Sequence, residues 1–324
     1  MIEDVLAQPD QIADALMKVE AARVPRREMA GGLLVCGMGG SAVGGDLAAA
    51  AIGARAKLPV RTLRGYSPEP WLTPDTLVLC ASYSGETEET LACFEAAGAA
   101  GASRVVLTTG GQLASRAREE GVPVIGVPSG MQPRASVVYM TVGALECAAL
   151  CGAAPPLREE LEAAGPALEA LGADSEAEEI AAVLHGTLPV IHGAEVTAAP
   201  ARRWKTQLNE NAKVAAFASE LPEASHNEIE GWAWGHEHAP LAAVFLSAGG
   251  HHPQVARRVD LFAGMLEEQG VRVVRVTARG QARVAQVLSL VMLGDLVSVR
   301  LAELSGTDPI PVPLIEGFKA SLVE

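Results

Sequence analysis

Short, continuous aliphatic runs, each leading at once into a helical pattern, recur along this 324-residue chain. Residues 32–36, 59–64, 76–81, 104–108 and 123–126 read as strands, with helices over 41–52, 86–99, 111–119 and 135–150. Runs such as Leu77-Val78-Leu79-Cys80-Ala81 show no polar alternation, so both faces of the strand must be covered, and the intervening helices supply the cover. The pattern predicts an α/β fold with parallel sheets between helical layers. It repeats after an Ala-, Pro- and Glu-rich stretch, with strands 188–191, 242–247 and 271–276 and helices 197–216, 253–268, 281–302 and 313–322. We read an N-terminal subdomain over 1–152, a helical connector over 153–177 and a C-terminal subdomain over 178–324. Such halves present their binding loops at the carboxyl ends of the strands.

Two of those loops carry chemistry. After strand 76–81 comes Ser82-Tyr83-Ser84-Gly85-Glu86-Thr87-Glu88-Glu89-Thr90, which puts three hydroxyls in a strand-to-helix turn. After strand 32–36 comes Gly37-Met38-Gly39-Gly40-Ser41, where glycines end a strand and a serine opens a helix. The first N–H groups of a helix lack intrahelical partners and the helix dipole adds positive character, so each turn suits a phosphate ester without any lysine. Taken singly, Ser84 or Thr87 reads as a helix cap with Glu88 and Glu89 complementing the dipole. A second loop of the same kind shifts the balance toward a ligand.

Bulk properties exclude several classes. The formal charge of -14 argues against nucleic acid or an anionic membrane as partner, because both demand a basic surface. No run of about 18 uninterrupted apolar residues occurs, and Glu3 and Asp4 do not suit the basic start of a secretion signal. Five cysteines, an odd number lying in apolar patterns, read as reduced core thiols. Together these features predict a cytoplasmic protein.

Gly37, Gly39 and Ala42 match the dinucleotide fingerprint, but the strand expected to end in an acidic ribose ligand reads Val60-Arg61-Thr62-Leu63-Arg64-Gly65. Arg64 keeps an NADP-dependent oxidoreductase open as an alternative, although that reading leaves the Ser82–Thr87 loop unused. His236, His238, His251 and His252 lack a metal-ligand spacing, and Cys147 and Cys151 share a helix face better suited to the core. Glu210 lies near the buried face of a predicted helix, where a carboxylate is either a general base of raised pKa or a structural partner of Lys205 or Lys213. His226, on the loop that follows, is a proton carrier or a loop-ordering hydrogen bonder. Arg134, behind Pro133, either faces a cleft to offset a developing oxyanion or is a solvated residue at a helix start.

Taken together, Gly-Met-Gly-Gly-Ser at 37–41, Ser-Tyr-Ser-Gly-Glu-Thr-Glu-Glu-Thr at 82–90, Pro-Arg-Ala-Ser at 133–136, Asn-Glu-Asn-Ala-Lys at 209–213 and Leu-Pro-Glu-Ala-Ser-His-Asn-Glu-Ile at 221–229 resemble the bifunctional phosphoglucose/phosphomannose isomerases. The resemblance spans roughly residues 30–320. It implies two SIS-type subdomains of flavodoxin-like, three-layer αβα form, a homodimer, no cofactor or metal, and a hexose 6-phosphate substrate. By position it implies that Gly40, Ser41, Ser82, Ser84 and Thr87 hold the phosphate and that Glu210 is the base moving a proton between C2 and C1. Arg134 would stabilise the cis-enediolate, and His226, reaching the site from the partner subunit, would assist ring opening together with Lys319. The activity implied is aldose–ketose isomerisation of glucose 6-phosphate and mannose 6-phosphate with fructose 6-phosphate; the alternative of another class is a non-catalytic sugar-phosphate sensor. One departure is Ile310, where the resemblance leads us to expect a threonine. Its absence bears on mannose 6-phosphate turnover more than on glucose 6-phosphate turnover.

Overall fold

Every aliphatic run becomes a strand, and all the strand pairings described are parallel. The computed structural model of the protein describes residues 1–173 and 175–322; Asp174 of the expected connector, and Val323 and Glu324 of the expected C-terminal subdomain, lie outside them. In chain order the elements are α1 (Ile2–Leu6), α2 (Gln8–Ala21), β1 (Gly32–Cys36), α3 (Gly39–Ile52), β2 (Val60–Leu63), β3 (Thr76–Ala81), α4 (Glu88–Ala99), β4 (Ser103–Thr108), α5 (Gly111–Glu119), β5 (Val124–Gly126) and α6 (Val137–Leu150). They continue with α7 (Arg158–Glu162), α8 (Gly165–Gly172), α9 (Glu176–Leu184), β6 (Leu188–Ala194), α10 (Ala198–Glu210), β7 (Phe217–Leu221), α11 (Glu228–His238), β8 (Leu241–Ser247), α12 (Pro253–Glu268), β9 (Arg272–Thr277), α13 (Arg283–Leu304) and α14 (Pro313–Ser321).

One compact unit comprises Glu3–Gly172 with Ala278–Leu290. Its five strands run in the order β2-β1-β3-β4-β5, and all residues of β1 and β3 are buried. Helices α4 and α5 close one face around Phe94, Val78, Val106 and Leu113. On α3, Gly44 faces the backbone of Met140 and Thr141 so closely that a Cβ would have no room, so α3 and α6 pack main chain to main chain. Helices α1 and α2 were not expected from the sequence. Yet α2 buries Ile12, Ala15, Leu16 and Val19, an i, i+3, i+4, i+7 stripe.

The other unit comprises Met1–Ile2, Ala173–Thr277 and Val291–Glu324, around a four-stranded sheet in the order β7-β6-β8-β9. The expected helix 197–216 is shorter: it ends at Glu210. The Asn209 side chain accepts from Ala216 N–H at 2.9 Å and Lys213 turns to a φ of +57°, so the chain reverses and forms β7 instead. Helix α11 was likewise not expected; Asn227 caps it by accepting from Glu228 N–H at 2.6 Å. Helix α10 docks on the later part of α13 through polar groups buried in the core. Arg203 and Asp295, each 1% exposed, form a two-pronged ion pair at 2.9 and 3.0 Å. Trp204 lies against Gly294, where a Cβ would collide with the indole, and Asn211 donates to Ser298 Oγ at 2.8 Å. At 22 residues α13 is long and apolar enough to cross a membrane, but 89% of its most apolar window is buried inside the protein, as in a core helix.

On β6, His192 is 1% exposed, with Phe245 stacked at 4.6 Å and Trp232 and Phe262 beside it. Neither ring nitrogen has a hydrogen-bond partner, and burial pushes its pKa down to about 3. The folded chain therefore refuses a proton that the unfolded chain accepts below about 6.5, so stability is intact above that pH and lost as pH falls toward 3. A His192→Phe variant should abolish this dependence: between pH 7.5 and 5, urea unfolding should show the wild type losing about 2 kcal/mol more than the variant. Equal losses would mean that His192 is protonated in the folded state.

Candidate active site

The turn between β3 and α4 is organised by its own hydroxyls. Ser82 Oγ and Thr87 Oγ1 share a hydrogen bond at 2.8 Å, Gly85 N–H donates to Ser82 Oγ at 3.1 Å, and Glu86 N–H donates to Ser84 Oγ at 3.2 Å. Thr87 is the N-cap residue of α4, but its side chain makes no capping bond because it turns to Ser82. Gly85 holds a φ of +72°, in the left-handed region that glycine adopts without strain. The loop is braced on the β4–α5 turn: the Glu86 carboxylate accepts from Gln112 N–H and Nε2, each at 2.8 Å, and Leu113 N–H donates to Gly85 O at 3.0 Å.

Strands β1 and β3 are neighbours with Cys36 opposite Cys80, so the glycine loop leaves the sheet at the same level as the hydroxyl loop. The chain departs toward β2 from one and toward β4 from the other, which makes the β1/β3 edge the topological switch point. Ser41 lies in the first turn of α3 and is 8% exposed. Gly40 abuts Arg134, whose Cα lies 3.3 Å from where a Gly40 Cβ would stand. Arg134 belongs to the 3-10 turn Pro133–Ser136 that leads into α6; it is 4% exposed, which rules out a solvated helix-start residue. Its Nη1 donates to Gln132 Oε1 at 3.4 Å. One unit thus brings together Gly40 with Arg134, and Ser82 with Ser84 and Thr87.

Glu210, His226 and Lys319 lie in the other unit. Glu210 is the half-buried last residue of α10, following the buried Arg203 and Gln207 at i−7 and i−3, and Lys213 Nζ donates to its main-chain carbonyl. A cavity of about 450 Å³ is lined by Asn209, Glu210, Lys213 and residues 312–315, the start of α14. Lys319 is an exposed residue of that helix. His226, also exposed, ends the 3-10 turn Glu223–His226, where Ser225 Oγ accepts from Arg258 Nη1 at 2.8 Å and donates to Pro222 O at 2.6 Å. Arg258 carries no motif in the sequence; only the packing of α12 reveals it.

The alternative chemistries find less support. Arg64, the cation that would meet a 2′-phosphate, is paired with Asp46. His236 and His238 bond the carbonyls of Trp232 and Trp234, each at 2.8 Å, and His251 bonds Glu195 at 2.9 Å. All five cysteines are free and buried.

Residues 173–322 match the model of the bacterial phospho-glucose isomerase C-terminal SIS domain. The chain is 38% identical to a bifunctional phosphoglucose/phosphomannose isomerase of Aquifex aeolicus, over 90% of either chain. It is 34% identical to one of Caldicellulosiruptor bescii, over 100% of this chain and 99% of that one. Among solved structures, the tagatose-6-phosphate ketose/aldose isomerase of Escherichia coli aligns with a TM-score of 0.74 over 96% of this chain and 95% of its own, at 17% identity. That likeness is one of fold, the SIS-type α/β architecture with parallel sheets.

Proposed function

Because the chain belongs to the bifunctional phosphoglucose/phosphomannose isomerase family, we propose that it interconverts glucose 6-phosphate and mannose 6-phosphate with fructose 6-phosphate through a cis-enediolate. Family membership across nearly the whole chain is the observation that carries this reading. The hydroxyl and glycine loops agree with it independently, as an anion site built from main chain and hydroxyls.

In this reading the N-terminal subdomain, 1–152, supplies the phosphate grip through Gly40, Ser41, Ser82, Ser84 and Thr87. The C-terminal subdomain, 178–324, supplies the base. Glu210 takes the C2 proton of the open-chain aldose and returns it to C1, while the carbonyl oxygen at C1 gains a proton and the C2 hydroxyl gives one up. Arg134 offsets the negative charge of the enediolate between these steps. His226 and Lys319 exchange the proton between the ring oxygen and the C1 hydroxyl that opens the pyranose. No electrons enter or leave, so the chemistry calls for no redox cofactor, and in this reading the Arg134 guanidinium supplies the positive charge that the enediolate requires.

We further propose a homodimer in which each subunit receives His226 from its partner. Its support is apolar surface left exposed on one chain: Leu314 and Phe318 on α14 are 88% and 67% exposed, and Phe217 on the edge strand β7 is 56% exposed. The five free thiols suit the reducing cytoplasm.

Fructose 6-phosphate formation from each aldose, with and without EDTA, tests the activity. Product from both, insensitive to EDTA, is expected; binding without turnover would leave a sensor. Ile310, 45% exposed ahead of α14, bears on the balance between epimers. Ile310→Thr should raise mannose 6-phosphate turnover relative to glucose 6-phosphate roughly fivefold, the worth of one added hydrogen bond of about 1 kcal/mol during C2–C3 rotation. An unchanged ratio would remove position 310 from epimer selection.

A further inference from the structure

A four-residue turn ordinarily closes with a hydrogen bond from the N–H of its fourth residue to the C=O of its first. In Pro128-Ser129-Gly130-Met131 both groups turn instead to one side chain: the Tyr83 hydroxyl donates to Pro128 O at 3.2 Å and accepts from Met131 N–H at 3.0 Å. Gly130, third in the turn, has a φ of +96°, in the left-handed region that glycine adopts without strain. The turn follows β5 directly, and Met131 stands three residues before Arg134.

The main chain of Tyr83 is itself fixed. Its carbonyl accepts from Thr109 N–H at 3.0 Å and from Thr109 Oγ1 at 2.8 Å, in the middle of the hydroxyl loop. The phenol thus links that loop to the segment carrying Arg134, while the other side of Arg134 rests on Gly40. Without the hydroxyl, Pro128 C=O and Met131 N–H lose their common partner and are left to bond each other, which would draw the turn closed and shift the residues after it.

We propose that Tyr83 is a positioning residue for the isomerisation: its hydroxyl sets the distance between the phosphate anchor and the Arg134 guanidinium, so that a sugar held by its 6-phosphate presents the developing enediolate to that charge. This inference rests on the role proposed for Arg134. Tyr83 makes no contact with the reacting atoms in this account and acts through the turn.

The test is a double-mutant cycle of Tyr83→Phe and Arg134→Ala, with kcat and KM for glucose 6-phosphate and inhibition by inorganic phosphate measured for each. Tyr83→Phe keeps the ring and removes only the hydroxyl. It should lower kcat on the order of 10²-fold, the effect of displacing a charge by about an ångström. KM and the phosphate inhibition constant should stay within about twofold, since the anchor is untouched. In the Arg134→Ala background the same change should cost little further, because the group it positions is gone. Wild-type kcat in Tyr83→Phe beside a crippled Arg134→Ala would overturn the role of Tyr83 alone, as would additive losses in the double variant. Wild-type turnover in Arg134→Ala would remove the premise itself, a result distinguishable from both.

Discussion

Replacing Glu210 with glutamine should lower kcat for glucose 6-phosphate on the order of 10⁴-fold while leaving binding of fructose 6-phosphate within about threefold. Glutamine has nearly the size of glutamate and keeps hydrogen-bonding capacity but cannot accept the C2 proton, so the variant separates proton transfer from sugar binding. Glu210 ends α10 beside a cavity of about 450 Å³ and follows a helix face anchored in the core. The phosphate grip is proposed for Ser41, Ser82, Ser84 and Thr87, none of which the substitution alters. Coupled-enzyme kinetics and calorimetric titration with fructose 6-phosphate would give the two quantities separately. Turnover within tenfold of wild type would assign the base elsewhere; loss of binding together with turnover would make Glu210 a ligand of the sugar.

The second large effect concerns the anchor of that helix. Asp295→Ala leaves the Arg203 guanidinium, 1% exposed, without the carboxylate that meets it at 2.9 and 3.0 Å. Breaking one side of a buried pair of this kind costs about 3–5 kcal/mol, because the remaining charge stays out of water. Replacing both residues, as Arg203→Met with Asp295→Leu, removes the charge together with its partner and should recover most of that stability. Urea unfolding of the two variants checks the contrast. A single variant as stable as wild type would show that water reaches Arg203, and a double variant as weak as the single one would show that packing rather than charge holds α10 on α13. The wild-type pair, being buried, should also respond little to added salt.

The parallel sheets were legible because strands such as Thr76–Ala81 are aliphatic along their whole length, a signal that requires cover on both faces. The hydroxyl-rich strand-to-helix turn after β3 was legible for a related reason: its contacts are local, with Ser82 meeting Thr87 five residues on. The end of α10 was not. The helical pattern continues past Glu210, and the reversal comes from the bond of Asn209 to Ala216 and the left-handed Lys213, which compete with the pattern locally. Strand β7 is a half-exposed edge with little aliphatic content, and α11 carries Gly231 and Gly235 inside it, so neither announced itself. Arg203 sits in the run Arg202-Arg203-Trp204-Lys205, and its partner Asp295 lies 92 positions on, where no local pattern links the two. Tyr83 lay inside the most informative motif of the chain, yet what its hydroxyl holds, 45 and 48 residues away, is a matter of tertiary structure.

The central claim is that this chain holds a hexose by its 6-phosphate and moves one proton between C1 and C2. Proton exchange in deuterated water tests it most directly, with glucose 6-phosphate and mannose 6-phosphate each incubated with the protein, with and without EDTA, and the C2 signal followed by NMR. The account predicts that solvent deuterium accumulates at C2 of the recovered aldoses and at C1 of fructose 6-phosphate, at the same rate in either condition. A C2 proton that persists through prolonged incubation with protein that still binds the sugar phosphate would contradict it.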